Sequence, residues 1–226
     1  MVWTSHKLAD GLVAETIVVG FAQANCYIVR EPGGRAVVID PGSSDPAEVE
    51  AILNRIEELG LSVELIINTH GHPDHMAGND VLKQHLGVPV AIHELDAMKL
   101  TDPDRNGSTL FGMEIYVAPP DRLLRDDETI ALGEHELRVV HTPGHSVGGI
   151  VLVGNGFVVT GDTLFAGSIG RSDLPCASEE SSIAYEDLIA SIRERLMTLP
   201  DETIVLPGHG PVTTIGRERR TNPYIR

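Results

Sequence analysis

A segment dense in histidine and aspartate follows a strand-like apolar run, and this segment constrains the fold more than any other part of the chain. It covers residues 69–75 and reads Thr-His-Gly-His-Pro-Asp-His. Three more residues of the metal-ligand type stand beside glycines, at or just after the ends of later strand-like runs: His145, Asp162 and His209. Because these residues come from both halves of the chain, and no Pro/Ser-rich linker separates the halves, the pattern favours one folded unit over two separate α+β domains.

The spacing within residues 69–75 suits metal binding. His70 and His72 are two residues apart, so in an extended loop both imidazoles project to the same side and can reach one ion. Pro73 forces a turn, after which Asp74 and His75 can face a neighbouring ion from the start of a helix. Neutral imidazole and carboxylate are the usual ligands of zinc and also suit iron or manganese. A lone loop histidine is usually an ordinary polar residue, but a cluster of this density favours a metal site.

The remaining histidines and both cysteines have simpler interpretations. His93 is expected to cap a helix or to support the metal site from behind, and His141 to support the site in the same way. The other three histidines are interpreted as surface residues: His6, His85 and His135. Cys26 is expected in the core, and Cys176 is interpreted as an ordinary loop residue because no histidine or charged partner is evident for it.

The charge balance excludes one class of partner. Acidic residues outnumber basic ones by 33 to 17, which gives a formal net charge of −16 and argues against nucleic acid as a partner. No apolar run is long enough to span a membrane. Two cysteines cannot form a disulfide framework, and the first residues lack the pattern of a secretory signal, so we expect a cytoplasmic protein. Nothing in the pattern indicates an oligomeric state.

Strand-like runs come first in each half of the chain, and helical patterns lie after or between them. The predicted strands cover 12–20, 26–30, 36–40, 64–68, 88–92, 136–141, 149–153, 157–160 and 204–206, with a hairpin turn at 31–34 and a polar loop at 101–108. One helix is predicted from Pro46 to Gly60, with Asp45 as its cap and Glu48 completing a capping box. A second helix is predicted over 183–196. Two packed sheets with helices on their outer faces would bury the apolar stripes of these helices.

Taken together, these motifs resemble those of the metallo-β-lactamase superfamily, and the resemblance covers nearly the whole chain. Residues 70–75 match the family's His-x-His-x-Asp-His motif, and later motifs follow in the expected order at 40–42, 142–149, 161–165 and 207–211. The run Gly-Asp-Thr-Leu-Phe at 161–165, followed by Gly-Ser-Ile-Gly-Arg at 167–171, is most similar to the short, single-domain branch of glyoxalase II-like hydrolases.

The resemblance implies a four-layer α/β fold: an αβ/βα sandwich of two mixed β-sheets, with helices on the outer faces and the metal site at one edge. It also implies two divalent metal ions, with zinc preferred and iron or manganese as alternatives. The ligands of the first ion would be His70, His72 and His145. The ligands of the second ion would be Asp74, His75 and His209. Asp162 would bridge the two ions, and because β-lactamases of this superfamily generally place cysteine there, the aspartate argues against a lactamase.

The resemblance further implies a single domain over residues 1–226. The well-known glyoxalase II enzymes carry an additional C-terminal helical region that helps to bind glutathione, and the stretch from 210 to 226 is too short to form one. Recognition of glutathione is therefore left open. Arg171 is a basic residue expected near the site, where it is a substrate contact, an ion-pair partner of Asp173 or a backbone clamp.

The first functional interpretation is a binuclear metallohydrolase, similar to hydroxyacylglutathione hydrolase, that cleaves a small-molecule thioester such as S-lactoylglutathione. A metal-bridging hydroxide would attack the acyl carbonyl, with Asp74 and Asp162 as the catalytic side chains. The alternative is a persulfide dioxygenase with one iron held by His70, His145 and Asp162. A non-catalytic metal-binding protein has less support, because every ligand residue of the motifs is present.

Overall fold

Seven strands form the first sheet, and their order across the sheet equals their order along the chain. In the computed structural model, which describes residues 1–173 and 184–225, these strands are β1 (Thr4–Lys7), β2 (Val13–Val19), β3 (Ala24–Arg30), β4 (Arg35–Ile39), β5 (Ser62–Ile67), β6 (Val90–His93) and β7 (Arg122–Leu124). Strands β1 to β4 pair antiparallel, whereas β4 to β7 pair parallel. Parallel pairing needs crossover segments, and these contain helices α1 (Pro46–Glu58), α2 (Pro73–Met76) and α3 (Asn79–Leu86).

Six strands form the second sheet, and a separate two-stranded hairpin adjoins them in the chain. The second-sheet strands are β8 (Thr129–Leu132), β9 (His135–His141), β10 (Ile150–Gly154), β11 (Phe157–Gly161), β14 (Ile204–Pro207) and β15 (Thr213–Thr214), in the order β15-β14-β11-β10-β9-β8. The hairpin consists of β12 (Leu164–Phe165) and β13 (Ser168–Ile169). Among the described strands of the second sheet, β11 and β14 pair parallel and the other neighbours pair antiparallel, so this sheet is mixed like the first.

The remaining helices are short. They are α4 (Pro103–Asn106), α5 (Ala184–Ser191) and α6 (Ile215–Thr221), together with 3-10 helices at Ala9–Gly11, Glu94–Leu100 and Ser108–Phe111. A π-helical turn over Ile192–Leu196 continues α5. In the part of the chain that the structure describes, no helix combines the length and the apolar character needed to cross a membrane.

Alternation along the strands builds three apolar layers. In β4, Val37 and Ile39 face the core between the two sheets, whereas Ala36 and Val38 face the outer side of the first sheet. Helix α1 covers that outer side with a stripe of Val49, Ile52 and Ile56. Helix α5 and its continuation cover the second sheet in the same way with Leu188, Ile189, Ile192 and Leu196. The period of two in the strands and of about 3.6 in the helices therefore produces the predicted αβ/βα sandwich, which is confirmed.

Several local predictions need correction. The predicted capping box is wrong in its second half: Asp45 caps α1 by accepting from the amides of Ala47 and Glu48, but the Glu48 carboxylate accepts from the Gly20 amide instead. The polar loop predicted at 101–108 contains helix α4, which Asp102 caps. The short strands β1, β7, β8, β12, β13 and β15 were not predicted, since two to four residues carry too little alternation to be recognised.

The strand ends determine where the loops of interest meet. Asp40 follows β4, residues 69–75 follow β5, and residues 142–149 follow β9. Asp162 follows β11 and Gly208 follows β14. All of these loops leave the sandwich at one edge, which is where parallel neighbours β4 and β5, and β11 and β14, both end.

We predict that a buried carboxylate on the outer side of the first sheet makes stability depend on pH. Glu15 accepts from Ser5 Oγ at 2.6 Å, Arg55 Nη2 at 2.8 Å and Arg30 Nη2 at 3.1 Å. Burial raises the pKa of this carboxyl group, but hydrogen bonds from Arg55, Ser5 and Arg30 outweigh burial and hold the pKa below its ordinary value. These contacts therefore stabilise the fold above the unfolded-state pKa, and the stabilisation is lost as the pH falls through the folded-state pKa.

Replacing Glu15 by Gln should lower the free energy of unfolding by about 2 kcal/mol near neutral pH. Urea denaturation should show that the variant and the native protein differ less in free energy of unfolding as the pH falls from about 7 to about 3. The matched control is Glu58→Gln, which removes an exposed partner of Arg55 and should cost less than about 0.5 kcal/mol. A difference that does not change with pH would contradict this account of Glu15.

Candidate metal centre

The structure brings together the seven side chains that the sequence singled out. They form three overlapping sets whose potential ligand atoms lie within 4.8 Å of one another: His70, His72 and His145; His70, His75 and Asp162; Asp74, His75 and His209. The first and the last of these sets are the first and second ligand groups. The first two histidines leave the end of β5, whereas His145, Asp162 and His209 leave the second sheet. The cluster therefore lies across the edge at which both sheets end.

The first group consists of three buried imidazoles. His145 Nε2 lies 2.8 Å from His72 Nδ1 and 3.2 Å from His70 Nε2. The three rings stand nearly perpendicular to one another, with centroids 4.6 to 4.8 Å apart. Ring nitrogens that converge in this way present three lone pairs to one point, which is the arrangement that a divalent transition metal requires.

The second group combines one carboxylate with two imidazoles. Asp74 Oδ2 lies 3.3 Å from His209 Nε2 and 3.7 Å from His75 Nε2. Asp162 faces both groups, because its Oδ1 lies 3.4 Å from His75 Nε2 and its Oδ2 lies 3.5 Å from the Nε2 atoms of both His145 and His209. A carboxylate in this position can contact ions in either group.

Two buried ligand atoms test whether these residues fit a metal. His75 Nε2 and Asp162 Oδ1 form no hydrogen bond of ordinary geometry with any residue in the described ranges. A buried polar atom left in that condition costs roughly 1–3 kcal/mol. A cation between the two atoms would satisfy both, so the donor set fits a divalent metal ion.

Contacts behind the ligands orient the rings. His75 Nδ1 donates to Asp40 Oδ2 at 2.9 Å, and His145 Nδ1 donates to the Arg171 carbonyl at 2.6 Å. His209 Nδ1 lies 3.3 Å from the Gln23 carbonyl. In each case the held Nδ1 leaves Nε2 directed at the centre, which fixes the tautomer that a metal ligand needs.

Asp40 is a functional residue that the sequence analysis quoted only as part of a loop motif. Its Oδ1 accepts from the Thr69 amide at 2.7 Å, and its Oδ2 accepts from Thr69 Oγ1 at 2.6 Å as well as from His75. Asp40 also has a φ of +52°, an unusual conformation outside glycine. The signal that could have revealed it was an aspartate at the end of a buried strand, immediately before Pro41 and Gly42.

The protonation behaviour differs between the two groups. Burial, followed by the nearby imidazoles, holds the pKa of both His70 and His72 well below the ordinary value, and burial also lowers the pKa of His145. These three rings are therefore neutral near pH 7, which is the form that binds metal.

Asp74 of the second group and Asp162, which lies between the two groups, are ionised. Burial raises the pKa of Asp74, but His75 and His209 outweigh it and lower the pKa to about 2. Burial likewise opposes ionisation of Asp162, and His75 nonetheless lowers the pKa of that carboxyl group. Burial lowers the pKa of His75, but the charges of Asp162, Asp74 and Asp40 raise it well above the ordinary value. Both carboxylates therefore carry negative charge, and a cation bound here would take the place of the proton that these charges favour on His75.

A second buried carboxylate ties two ligand loops together. Asp96 Oδ2 accepts from the Gly71 amide at 2.8 Å and from Ser146 Oγ at 2.5 Å, and its Oδ1 accepts from the Gly148 amide at 2.8 Å. Lys99 Nζ contacts Ser146 Oγ and lies 3.5 Å from Asp96 Oδ1. The loop of His70 and His72 and the loop of His145 are therefore fixed to one side chain, which the sequence analysis did not single out.

The glycine beside His209 is required by close packing. A Cβ atom on Gly208 would overlap Asp162 Oδ1 and would lie 2.9 Å from His75 Cε1. The absence of a side chain at Gly208 therefore lets the backbone pass close to two ligand side chains.

The other singled-out residues lie outside the ligand set. His93 caps the 3-10 helix Glu94–Leu100 by accepting from the Leu95 amide, and its ring stacks on His141 with centroids 4.4 Å apart. His85 is exposed, and the remaining two histidines are partly exposed: His6 and His135. Cys26 is fully buried in the core, as predicted. Cys176 lies outside the described residues.

A cleft of about 460 Å³ opens beside the ligands. Its walls include ligand residues of both groups, three phenylalanines and Arg171. Arg171 does lie near the site, as expected from the sequence, and its guanidinium is paired with Asp173 at 2.9 and 3.1 Å. A cleft of this size admits a small organic substrate.

We predict that Asp96 controls the first ligand group. Asp96→Asn replaces one acceptor oxygen by an NH2 group, which donates, although the groups that contact both oxygens are themselves donors. We therefore expect metal affinity to fall about 10- to 100-fold and the thermal midpoint to drop by several degrees. The matched control is Glu94→Gln, on the same 3-10 helix, where Glu94 pairs with Arg125 at the surface. Metal titration and thermal unfolding of both variants test this, and unchanged values for Asp96→Asn would refute it.

Known proteins are similar to this chain over most of its length. The sequence model described as the metallo-beta-lactamase superfamily matches residues 19–209. Hydroxyacylglutathione hydrolase GloC of Haemophilus influenzae is 38% identical over 216 residues, which cover 93% of this chain and 97% of that protein.

Two solved structures have a similar fold. The crystal structure of BLEG-1 B3 metallo-beta-lactamase superposes with a TM-score of 0.84 at 36% identity, covering 93% of this chain and 98% of that one. The crystal structure of TTHA1623 in a di-iron-bound form superposes with a TM-score of 0.77 at 37% identity, covering 92% and 98%. The chain therefore belongs to the metallo-β-lactamase superfamily, as one of its metal-dependent hydrolases.

Proposed function

We propose that the chain is a binuclear metallohydrolase that cleaves a small-molecule thioester of the S-lactoylglutathione type. The observation that carries the proposal is the position of Asp162, whose two oxygens face both ligand groups at 3.4 and 3.5 Å. The similarity to GloC, which is named a hydroxyacylglutathione hydrolase, supports the substrate class. The similarity to a structure in a di-iron-bound form supports two metal ions and keeps iron beside zinc as a candidate.

The ligand assignment follows from the two groups. One ion would be held by His70, His72 and His145. The other would be held by Asp74, His75 and His209. Asp162 would contact both ions. Bound in this way, the two ions supply an activated water at neutral pH and polarise the acyl carbonyl.

The protein residues contribute orientation and charge. Asp74 is ionised, so a carboxylate oxygen of this residue can accept a hydrogen bond from water and direct its lone pair at the substrate. Asp40 and the Arg171 carbonyl hold the rings of His75 and His145, which keeps the ligand atoms in place during turnover.

The reaction needs no further nucleophile. The oxygen of water forms a bond to the acyl carbon, the bond from that carbon to sulfur breaks, and sulfur leaves with the electron pair. The products are a carboxylate, a thiol and one proton. A thiolate is stable enough near neutral pH to leave without a dedicated general acid.

Two other activities compete with this proposal. A persulfide dioxygenase would use one iron on His70, His145 and Asp162. A complete second ligand group is compatible with either activity, and the Gly-Ser-Ile-Gly-Arg segment at 167–171 favours the hydrolase. β-Lactam hydrolysis is the second candidate, because a solved structure at 36% identity is named a B3 metallo-beta-lactamase. The sequence argues against a lactamase because position 162 is aspartate. Assaying a β-lactam as a substrate tests that argument directly.

The experiment joins metal content and turnover on one freshly purified sample. We expect about two metal ions per chain by mass spectrometry and hydrolysis of S-lactoylglutathione faster than hydrolysis of a β-lactam. About one iron per chain with oxygen uptake on a persulfide and no thioester hydrolysis would overturn the proposal. Faster β-lactam hydrolysis would support the second candidate instead.

Variants of the ligands sharpen the test. Asp162→Ala should lower the metal content and reduce kcat/KM by at least about 10³-fold, because it removes the ligand shared by both groups. His209→Ala should remove one ion and leave the other. His85→Ala, an exposed histidine outside the site, is the control and should keep both ions. An Asp162→Ala protein with full metal content and full activity would refute the bridging role.

A further inference from the structure

Two aromatic side chains stand at the mouth of the cleft with most of their surface exposed. Phe21 lies in the turn between β2 and β3, and Phe111 ends the 3-10 helix Ser108–Phe111. Their ring centroids are 6.3 Å apart at an interplanar angle of 52°. The two residues are 54% and 59% exposed, although both line the cleft. The two rings contact each other and contribute little to the core, so an apolar group resting against the pair would bury apolar surface on both.

A third aromatic ring extends this apolar wall inward to the ligands. Phe165 lines the same cleft, and its ring lies edge-on to His209 with centroids 6.0 Å apart. Ala22 and Pro73 add further apolar surface beside the phenylalanines. A substrate whose carbonyl sits at the ligand cluster can therefore extend outward along this apolar wall.

The charges around the cleft do not match an anionic thiol. Among the described residues that line the cleft, Arg171 is the one lysine or arginine, and its guanidinium is already paired with Asp173 at 2.9 and 3.1 Å. Arg105 precedes the lining residue Asn106, but its Nε lies 3.3 Å from Asp102. In the sequence, residues 174–183 contain two glutamates and no lysine or arginine. The two carboxylates of a glutathionyl group would thus meet few available cations in a chain of net charge −16.

We infer that the preferred substrate is a thioester whose thiol portion is uncharged and apolar and packs against the pair formed by Phe21 and Phe111. This inference rests on the proposed thioesterase function and narrows its substrate class. The acyl group of a lactoyl thioester is short, so the thiol portion is the part long enough to reach the two rings. The cleft volume of about 460 Å³ accommodates such a molecule.

The test compares three lactoyl thioesters that share an aliphatic thiol but differ beyond it: those of glutathione, N-acetylcysteamine and N-benzoylcysteamine. For the metal-loaded protein we expect kcat/KM for the N-benzoylcysteamine thioester to exceed that for the glutathione thioester by about tenfold or more, because the phenyl group buries apolar area that a charged thiol lacks. The N-acetylcysteamine thioester, neutral but without the ring, should lie between them.

Variants assign the preference to the two rings. Phe21→Ala and Phe111→Ala should each reduce the ratio of kcat/KM for the N-benzoylcysteamine and N-acetylcysteamine thioesters about tenfold, with metal content unchanged. Leu110→Ala is the matched control, since Leu110 is 52% exposed on the same 3-10 helix but does not line the cleft. That variant should keep the native ratio.

Two results would overturn the inference: a native preference for the glutathione thioester, or ratios that the phenylalanine variants leave unchanged. If no thioester is hydrolysed, the proposed function fails. A binding measurement then decides separately whether the two rings hold an apolar group. S-ethyl-N-benzoylcysteamine, a thioether that cannot be hydrolysed, should bind the native protein more tightly than either phenylalanine variant in calorimetry. Equal affinities would contradict a role for the rings.

Discussion

The hydrogen bonds of Asp40 connect the sheet to the metal centre, and the rest of the site depends on them. The carboxylate stands at the end of β4 and accepts from both the amide and the hydroxyl of Thr69, at the end of the neighbouring strand β5. Its remaining contact holds the ring of His75. Because β4 and β5 are parallel, their ends meet at one edge, and a side chain as short as aspartate can reach across. The ends of these two strands therefore fix the orientation of the His75 ring, and with it the position of the ligand atom Nε2.

The two ligand groups attract cations in different ways. The first group consists of three imidazoles that burial keeps neutral, so it offers lone pairs without net charge, and Lys99 lies behind it. The second group contains ionised Asp74, and Asp162 lies between the groups. An ion in the first group would be selected by donor geometry, whereas an ion in the second would also be held by charge. The overall acidity of the chain contributes little to either effect, because the selection occurs among buried atoms.

Sequence reasoning identified the features that depend on neighbours in the chain. Helix α1, its Asp45 cap and the ligand cluster at 69–75 could all be predicted, since each depends on residues a few positions apart. The contact between Asp40 and His75 could not, because it depends on the pairing of two strands separated by a helix. Asp96 was missed for a similar reason: in the sequence it is an ordinary polar residue, and only the fold buries it between two glycine amides.

The candidate ligands come from both sheets, so bound metal ions would link the two sheets together. His70, His72, Asp74 and His75 follow β5 of the first sheet, whereas His145, Asp162 and His209 follow strands of the second. Ions bound here would act as removable cross-links between the two halves of the sandwich. The apolar layer between the sheets would still hold the halves together after the ions leave. Chelation would therefore favour local opening of the loops at this edge without global unfolding. Resistance of that edge to proteolysis would then report how many ions the protein carries.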